Sequence, residues 1–213
     1  AGYVEWPFNL LPNFGFAVLV VPLPGRVGFG PRFLDELVDN RNFGQIDIDE
    51  QAEIAQQLVD RGYTSHARLG ITGCSYGGYF TGQSITRHPN AYAAANPQCG
   101  TIDLVYMSDH GLRSSIAYQM GRTPDEDPAE YTKDSPGLHA ARVTAPTLIF
   151  DGIYDFIPYA FSQDFHDAIN AAGTPADFYL FEGVGHGLYD CFNCQVVAGQ
   201  AQINWFRRYL AHD

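Results

Sequence analysis

The sequence predicts an α/β fold in which a mostly parallel sheet is covered by helices on both faces. Apolar runs of strand length alternate along the chain with segments of helical periodicity. Several of these runs are continuously apolar, which is the pattern of strands buried on both faces of a sheet. A Gly-x-Ser-x-Gly sequence at residues 73–77 lies between such a strand and such a helix. The chain has 213 residues and no interdomain linker, so we expect one domain over residues 1–213.

Composition excludes several classes of function. Apolar residues make up 46% of the chain, which is ordinary for a globular protein. Lys and Arg total 12 against 24 Asp and Glu, a net charge of −12, so neither nucleic acid nor an anionic membrane is expected as a partner. No apolar run reaches the length of a membrane span. The sequence shows no metal-ligand cluster or nucleotide loop, so we expect no cofactor, and it does not indicate a compartment.

The N-terminal half contains the first predicted elements. Phe14–Pro22 is a continuous apolar run and is predicted to be a buried strand. Ile46–Arg61 is predicted to be a helix, because acidic residues occupy its first turn, apolar residues share one face and Gly62 follows it. Ala67–Ile71 is predicted to be the strand before the Gly-x-Ser-x-Gly sequence, and Tyr79–Arg87 the helix after it. The first twelve residues are predicted to be a loop or a short helix.

The C-terminal half continues the alternation of strands and helices. Residues 101–142 are irregular, and we expect short helices there that cover the site. The other predicted elements are the strands Ala91–Pro97, Pro146–Asp151 and Asp177–Phe181 and the helices Ala160–Ala172 and Val196–Leu210. In a parallel sheet of this kind, functional residues collect at the carboxyl ends of the strands.

Ser75 is the candidate nucleophile. A side chain held on a sharp turn from strand to helix strains the backbone and requires small neighbours, which Gly73 and Gly77 supply, while Gly78 allows the helix to approach the sheet. The helix N-terminus behind Ser75 offers free N–H groups and a positive dipole end to a developing oxyanion. These features predict a nucleophile elbow.

A serine nucleophile needs a base, and the base needs an acidic group that orients it. Asp155 follows the strand Pro146–Asp151, and His186 lies in a glycine-flanked loop after the next strand. Ser75, Asp155 and His186 therefore each follow a predicted strand, in the order expected of α/β-hydrolases. Asp151 and Asp190 are weaker candidates for the acid. Asp151 lies at the strand end and is predicted to face the sheet or brace the loop, and Asp190 is close to His186 in sequence.

The chain contains four cysteines, and none is predicted to be catalytic. Cys74 precedes Ser75 and is predicted to pack toward the sheet. Cys191 and Cys194 have the spacing of a redox or half-zinc motif, but no second pair completes a zinc site. A local disulfide or two free thiols are therefore favoured there over redox catalysis.

The motifs together resemble those of the prolyl oligopeptidase family of serine peptidases, nearest its acylaminoacyl-peptidase and dipeptidyl-peptidase branches. The matching blocks span most of the chain: Gly28-Phe29-Gly30 with the acidic helix after it, Arg68–Tyr79, Pro146–Pro158 and Gly183–Gly187. The resemblance implies the α/β-hydrolase fold, with Ser75 as nucleophile, Asp155 as orienting acid and His186 as general base. It also implies that the Tyr76 N–H is one oxyanion donor and that the substrate is a peptide or an acyl-peptide.

The chain departs from the family pattern in three places. The family has a strand and a His-Gly-Gly-Pro turn upstream, and a strand is missing between Phe16–Val21 and Leu69–Thr72. We therefore expect the chain to be truncated at its N-terminus, or another polypeptide to complete the sheet, because unpaired buried backbone is costly. Phe29 stands where the family often has a tyrosine, and Asp151 where it usually has a histidine.

Four aromatic residues near the expected site are candidates for an apolar substrate pocket: Phe29, Tyr79, Phe156 and Tyr189. Core packing is the alternative for each.

Two other functions and one other nucleophile are alternatives to a serine peptidase. A carboxylesterase would use the same triad, and a subunit without catalytic activity would keep the fold for association. A thiol hydrolase resembling dienelactone hydrolase would need cysteine at the centre of the elbow, where this chain has Ser75.

Overall fold

A four-stranded parallel sheet forms the centre of the part of the chain that the computed structural model describes, residues 10–26, 28–38, 43–100 and 102–211. Its strands lie side by side in chain order: β1 (Gly70–Cys74), β2 (Ala94–Gln98), β3 (Thr147–Gly152) and β4 (Ala176–Phe181). In register, Gly70 pairs with Ala94 and Thr147 with Ala176. The predicted parallel α/β sheet is therefore confirmed.

Helices connect the strands and follow them. They are α1 (Pro31–Val38), α2 (Ile46–Asp60), α3 (Tyr76–Arg87), α4 (Leu104–Met107), α5 (Arg113–Met120), α6 (Pro128–Lys133), α7 (Tyr159–Ala171) and α8 (Phe192–Tyr209). Short 3₁₀ turns lie at Leu11–Phe14, His66–Arg68, Pro136–Arg142 and His186–Leu188, and a π-helical turn at Ser108–Leu112. Among the described helices, none combines the length and apolarity that a membrane span requires.

Each face of the sheet packs on its own helices, because successive side chains of a strand point to opposite faces. Ala95 and Ile149 belong to a core cluster shared with α2, α3 and α7. Their neighbours Ala94 and Leu148 belong to a second cluster, which contains Ile203 and other residues of α8. The central strands β2 and β3 are buried along their whole length, as expected for strands covered on both sides.

A buried polar cluster joins α8 to the sheet beneath the turn that carries Ser75. The amide of Gln202 donates to Asn96 Oδ1 at 2.7 Å and to Thr72 Oγ1 at 3.1 Å. Gln98 donates to the same Asn96 oxygen at 2.8 Å, and Asn96 donates to the Leu148 carbonyl at 2.7 Å. These partners span β1, β2, β3 and α8, so the cluster fixes their relative positions.

The prediction of a buried strand at Phe14–Pro22 is wrong. Residues 15–22 are assigned to no strand, and Leu19 and Val20 are 57% and 54% exposed. Only part of the segment packs, with the Phe16 ring 6.1 Å from that of Phe206. An apolar run becomes a strand only where another strand offers backbone partners, and in the described residues β1 pairs with β2 alone.

The other boundaries differ from the predictions by a few residues. β1 begins at Gly70 rather than at Ala67, because residues 66–68 form a 3₁₀ turn. Helix α3 begins at Tyr76, directly after Ser75, rather than at Tyr79. The sequence did not predict α1, whereas the short helices expected within residues 101–142 are present. Of the first twelve residues, 1–9 lie outside the described part, and the 3₁₀ turn begins at Leu11.

Candidate active site

Ser75 lies on a sharp turn between β1 and α3. Its backbone has φ 61° and ψ −120°, a conformation that L-residues other than glycine rarely adopt. Hydrogen bonds hold it there: its N–H donates to the Gln98 carbonyl at 3.0 Å, and its own carbonyl accepts from the N–H groups of Gly78 and Tyr79. Strain maintained by surrounding structure is the feature expected of a nucleophile elbow.

Glycines create the space for this turn, but not all at the predicted positions. A Cβ on Gly73 would lie 2.6 Å from the Gly77 carbonyl oxygen, and one on Gly78 would lie 2.2 Å from that of Gln98. A Cβ on Gly77 would meet nothing within 4 Å. Gly73 and Gly78 are therefore required for close approach, and the expectation that Gly77 needs a small side chain is wrong.

Asp155 and His186 form a direct pair. The Nδ1 atom of His186 lies 2.8 Å from Oδ2 and 3.0 Å from Oδ1 of Asp155. The Asp155 side chain is fully buried, the imidazole is 25% exposed, and Oδ1 of Asp155 also accepts from the N–H of Ile157 at 2.9 Å. A buried carboxylate so placed fixes both the orientation and the tautomer of the imidazole, leaving Nε2 free.

The imidazole also lies close to the elbow. One of its ring nitrogens is within 4.8 Å of the sulfur atoms of Cys74, the residue before Ser75, and of Cys99. Within the described residues, no hydrogen bond joins the Ser75 hydroxyl to the imidazole. Such contacts are often long in the absence of substrate and shorten when it binds.

Both cysteine pairs form disulfides. Cys74 at the end of β1 is bonded to Cys99, which follows β2. The sequence predicted that Cys74 packs toward the sheet, but it did not predict this bond. Cysteines 25 residues apart match no known spacing rule, so this pairing was not predicted. Cys191 and Cys194 form the local disulfide that was one of the two predicted states, and the Cys191 sulfur accepts from the Cys194 N–H at the start of α8.

Of the four aromatic residues expected to line a pocket, Phe156 contacts His186 and Tyr189 lies three residues after it in the chain. The Phe156 ring centroid is 4.7 Å from the imidazole centroid, and the side chain is 61% exposed. Tyr189, 53% exposed, directly follows the turn that carries His186. Phe29 is also exposed, and its ring packs on Phe33 near the start of α1.

Tyr79 does not line a pocket in this structure. Its side chain is 1% exposed, stacks on Phe43 and donates through its hydroxyl to the Asp134 carbonyl at 3.0 Å. It faces the core because it lies one helical turn after Ser75 on the inner side of α3.

The Tyr76 hydroxyl donates to Asp47 on α2, so its side chain ties α3 to α2. The backbone N–H of Tyr76 lies at the start of α3, directly after Ser75.

Asp151 braces the loop that carries Asp155. It is 1% exposed, and its two oxygens accept from the Gly152 N–H at 2.9 Å and from the Ser162 hydroxyl at 2.8 Å. Burial raises the pKa of Asp151 to about 7, and the charge of Asp155 adds to that rise, against the opposing effects of the Ser162 hydrogen bond and His186. Asp151 is therefore a second titratable carboxyl next to the Asp155–His186 pair.

Comparison with known proteins places the chain in a family. The model of the prolyl oligopeptidase family matches residues 3–213. The chain belongs to that family. Among characterised relatives, it is 32% identical over 201 residues to dipeptidyl aminopeptidase BIII of Pseudoxanthomonas mexicana, covering 87% of this chain and 27% of the relative. It is 26% identical over 188 residues to the acylamino-acid-releasing enzyme of Mus musculus, covering 84% of this chain and 25% of that enzyme.

Solved structures agree with this placement. A puromycin-hydrolyzing peptidase of Mycobacterium tuberculosis superposes with a TM-score of 0.82 at 28% identity, over 89% of this chain and 29% of that one. The chain thus spans little more than a quarter of the length of these family members. The predicted family and the α/β-hydrolase fold are both confirmed.

Proposed function

We propose that this chain is the catalytic part of a serine peptidase that cleaves peptide or acyl-peptide bonds. The observation that carries the proposal is the buried Asp155–His186 pair, held next to a strained elbow that presents Ser75. Three loops that are distant in sequence converge at the carboxyl ends of β1, β3 and β4. Family membership supports the same assignment.

The proposed mechanism is acyl transfer to water. The Ser75 oxygen attacks the substrate carbonyl while Nε2 of His186 accepts the hydroxyl proton, and Asp155 stabilises the resulting imidazolium. The Tyr76 N–H, at the positive end of α3, donates to the oxyanion. His186 then protonates the leaving amine, which departs to give an acyl-enzyme. Water attacks the acyl-enzyme with His186 again acting as base, which releases the acid and restores Ser75.

The proposed substrate class follows from the site and from the relatives. The names of the relatives describe cleavage of dipeptides from peptides and release of acylated amino acids, and that of the structural neighbour describes hydrolysis of puromycin. The exposed Phe156 ring contacts His186 and offers apolar contact to a substrate side chain, and Tyr189 is exposed three residues after His186. A peptide or acyl-peptide with an apolar group beside the scissile bond fits these features.

Labelling with a fluorophosphonate tests the proposal. The folded protein should be labelled at Ser75, as identified by peptide mass spectrometry, and Ser75→Ala should remove both the label and the turnover. Ser114→Ala is a matched control, because Ser114 is exposed on α5 and should leave labelling unchanged. Folded protein that carries no label on Ser75 would contradict the proposal.

A matched panel of peptide anilides and simple esters decides the substrate class. We expect turnover of acyl-peptide or dipeptide anilides as well as esters. Turnover of esters alone would favour a carboxylesterase, because an ester has a better leaving group and needs less stabilisation of the oxyanion. A folded protein that turns over neither would favour a subunit without catalytic activity.

We also infer that the free edge of β1 accepts a further strand, supplied by an additional segment of this polypeptide or by another one. Among the described residues, β1 is hydrogen-bonded to a strand on one side only. A strand at this edge would satisfy the backbone groups of β1. Residues 15–22 are assigned to no strand, and their side chains Leu19 and Val20 are more than half exposed.

A further inference from the structure

The site contains a cluster of possible metal ligands that the proposed mechanism does not use. Among the described residues, Cys74 Sγ, Cys99 Sγ and a ring nitrogen of His186 lie within 4.8 Å of one another. Cys99 is 3% exposed, whereas Cys74 and His186 are partly exposed and can be reached from solvent. The two sulfurs are joined as a disulfide in this structure, so the cluster can bind no ion in its oxidised form.

We propose that reduction of the Cys74–Cys99 disulfide creates an inhibitory site for a thiophilic divalent cation such as Zn²⁺, with Cys74, Cys99 and His186 as ligands. The predicted loss of activity rests on the proposed function, whereas the predicted metal binding does not. Two thiolates and one imidazole are a common donor set for zinc, with a water molecule in the fourth position.

The surroundings of His186 favour metal binding. Asp155 occupies Nδ1, so Nε2 is the nitrogen left for the ion. A carboxylate that receives the other ring N–H of a metal-bound histidine orients the ring and raises its basicity, which strengthens the bond to the metal. Ligands of one tetrahedral zinc lie roughly 3.5–3.8 Å apart, so the three donors need only small side-chain movements to reach one ion.

The backbone around the cluster is well constrained. Cys74 and Cys99 have Cα atoms 5.5 Å apart, on the ends of two paired strands. The N–H groups of Ser75 and Cys99, which follow β1 and β2, donate to the carbonyls of Gln98 and Phe150. Opening the disulfide therefore leaves both side chains facing each other across the same strand ends, which pre-organises the pair for one ion.

Metal binding requires reduction of the disulfide first. A dithiol reductant transfers two electrons and two protons to the disulfide, giving two thiols and a cyclic disulfide of the reductant. Zinc then binds both sulfurs and Nε2 of neutral His186, and the two thiols release two protons. With Nε2 occupied by the metal, His186 can no longer accept the proton of Ser75, so hydrolysis stops until a chelator removes the ion.

Metal titration of reduced protein tests the proposal. The parent protein is Cys191→Ser/Cys194→Ser, which removes the other pair of thiols. It is reduced with a dithiol, freed of reductant by gel filtration under argon, and titrated with Co²⁺. We expect one Co²⁺ per chain with thiolate charge-transfer absorption, displacement by Zn²⁺ and release of about two protons. The same protein without reduction should bind none.

Single replacements identify the ligands. In the reduced parent background, Cys99→Ser and His186→Ala should each weaken Co²⁺ binding at least tenfold, and Cys99→Ser should also reduce the charge-transfer band. His186→Ala leaves both cysteines intact, so it tests the site even if Cys99→Ser fails to fold by circular dichroism. His139→Ala, which changes a partly exposed histidine in the 3₁₀ turn Pro136–Arg142, should have no effect.

Activity and binding are measured separately. Zn²⁺ should inhibit the reduced parent at least tenfold, with recovery on adding a chelator, and should leave the oxidised parent unaffected. Failure of the reduced parent to bind Co²⁺, or unchanged affinity in His186→Ala, would overturn the metal site. If metal binds as expected while Ser75 of the oxidised protein takes no fluorophosphonate label, the metal site stands and the proposed peptidase function fails.

Discussion

At the scale of single residues, the Asp155–His186 pair is the contact on which the proposed chemistry depends most. The carboxylate is fully buried and accepts from the imidazole and from the Ile157 N–H, so it has few other ways to satisfy its charge. An imidazole without this partner would adopt either tautomer and lose its orientation toward Ser75.

Asp155→Asn tests this role. The amide keeps the shape of the side chain but favours the wrong tautomer of His186, so we expect kcat to fall about 10³- to 10⁴-fold, measured on a peptide anilide. Asp164→Asn, an exposed change on α7, is the matched control and should leave kcat within twofold. Asp155→Asn retaining a tenth or more of the activity would argue against the proposed triad.

Asp151→Asn tests the second carboxyl near the site. Its pKa in the folded protein is about 7, above the value of about 4 expected when unfolded, because burial disfavours the charged form. The folded state therefore binds the extra proton, and the stability this provides is complete below pH 4 and lost as the pH rises to 7. In the Asn variant, the unfolding free energy should not include this pH-dependent decrease, which is at most about 4 kcal/mol.

Urea unfolding of wild type and Asp151→Asn at pH 5 and pH 8 measures the effect. The difference in unfolding free energy between the two pH values should be smaller in the variant, because the amide has no charge to bury. Ser162 can rotate its hydroxyl to accept from the new amide, so the fold should survive. An identical pH dependence in both proteins would show that Asp151 titrates normally.

At this scale, sequence predicted the residues whose chemistry and spacing are distinctive. Ser75, Asp155 and His186 were expected together because each follows a strand, and the structure brings Asp155 and His186 into contact. The disulfide of Cys74 was not predicted, because its partner comes from a neighbouring strand. Tyr79 takes the core-packing alternative, which its residue type alone could not distinguish because it does not reveal which side of α3 the side chain occupies.

At the scale of elements, the junction of β1, β2 and α3 is the tightest part of the structure. The start of α3 approaches the sheet and the residues after β2 so closely that only a hydrogen atom fits at Gly73, Gly78 and Gly100. This packing holds the elbow in its strained conformation, since the neighbouring backbone leaves it no room to relax.

Two glycines of one motif should therefore respond differently to alanine. Gly78→Ala places a Cβ 2.2 Å from the Gln98 carbonyl oxygen, and we expect a loss of about 1–3 kcal/mol or more in unfolding free energy. Gly77→Ala adds a methyl group in open space within α3 and should be neutral or stabilise by about 0.5–1 kcal/mol. Chemical denaturation measures both, and equal losses would contradict this account.

Hydrogen exchange tests the proposed free edge of β1. In the isolated chain, amides of residues 16–21 should exchange rapidly, because no ladder of backbone hydrogen bonds joins them to other residues that the structure describes. Amides of β2 and β3, which are buried between other strands, should be among the slowest. Slow exchange at residues 16–21 in a protein of monomeric mass would contradict the unpaired edge.

Element prediction from sequence succeeded where the signal was local. Helix α2 was found from its apolar face and acidic first turn, and β3 from its apolar run. Phe14–Pro22 carries an equally strong apolar signal and yet forms no strand, because pairing depends on a neighbour that the local sequence does not contain. Helix α1 was missed because it is short and follows a loop rich in glycine and proline.

At the scale of the whole molecule, several buried carboxyls share the same direction of pKa shift. Burial raises the pKa of Asp47 to about 6 and that of Asp134 to about 7, as it does for Asp151. Protonation of each of these carboxyls therefore stabilises the folded state. The net charge of −12 adds repulsion that grows as the remaining acids ionise.

We therefore expect the protein to be more stable at pH 5 than at pH 8. The free energy of unfolding should fall as the pH rises from about 4 to about 7, since the unfolded chain then binds fewer protons than the folded one. Urea denaturation at the two pH values checks this. In 0.5 M NaCl the trend should persist, because salt screens surface repulsion far more than buried carboxyls. A stability that rises over this range would contradict the assigned shifts.

The bond between Gln202 and Thr72 has a consequence for how the protein is made. Its partners are 130 residues apart in the chain. At about 5–20 residues per second, a ribosome finishes the strand before Ser75 roughly ten seconds before it adds the helix that supports that strand from below. Asp155, His186 and Gln202 are added only during this interval, in that order, so Ser75 is made well before the residues that surround it. The proposed triad therefore cannot assemble until translation has passed His186.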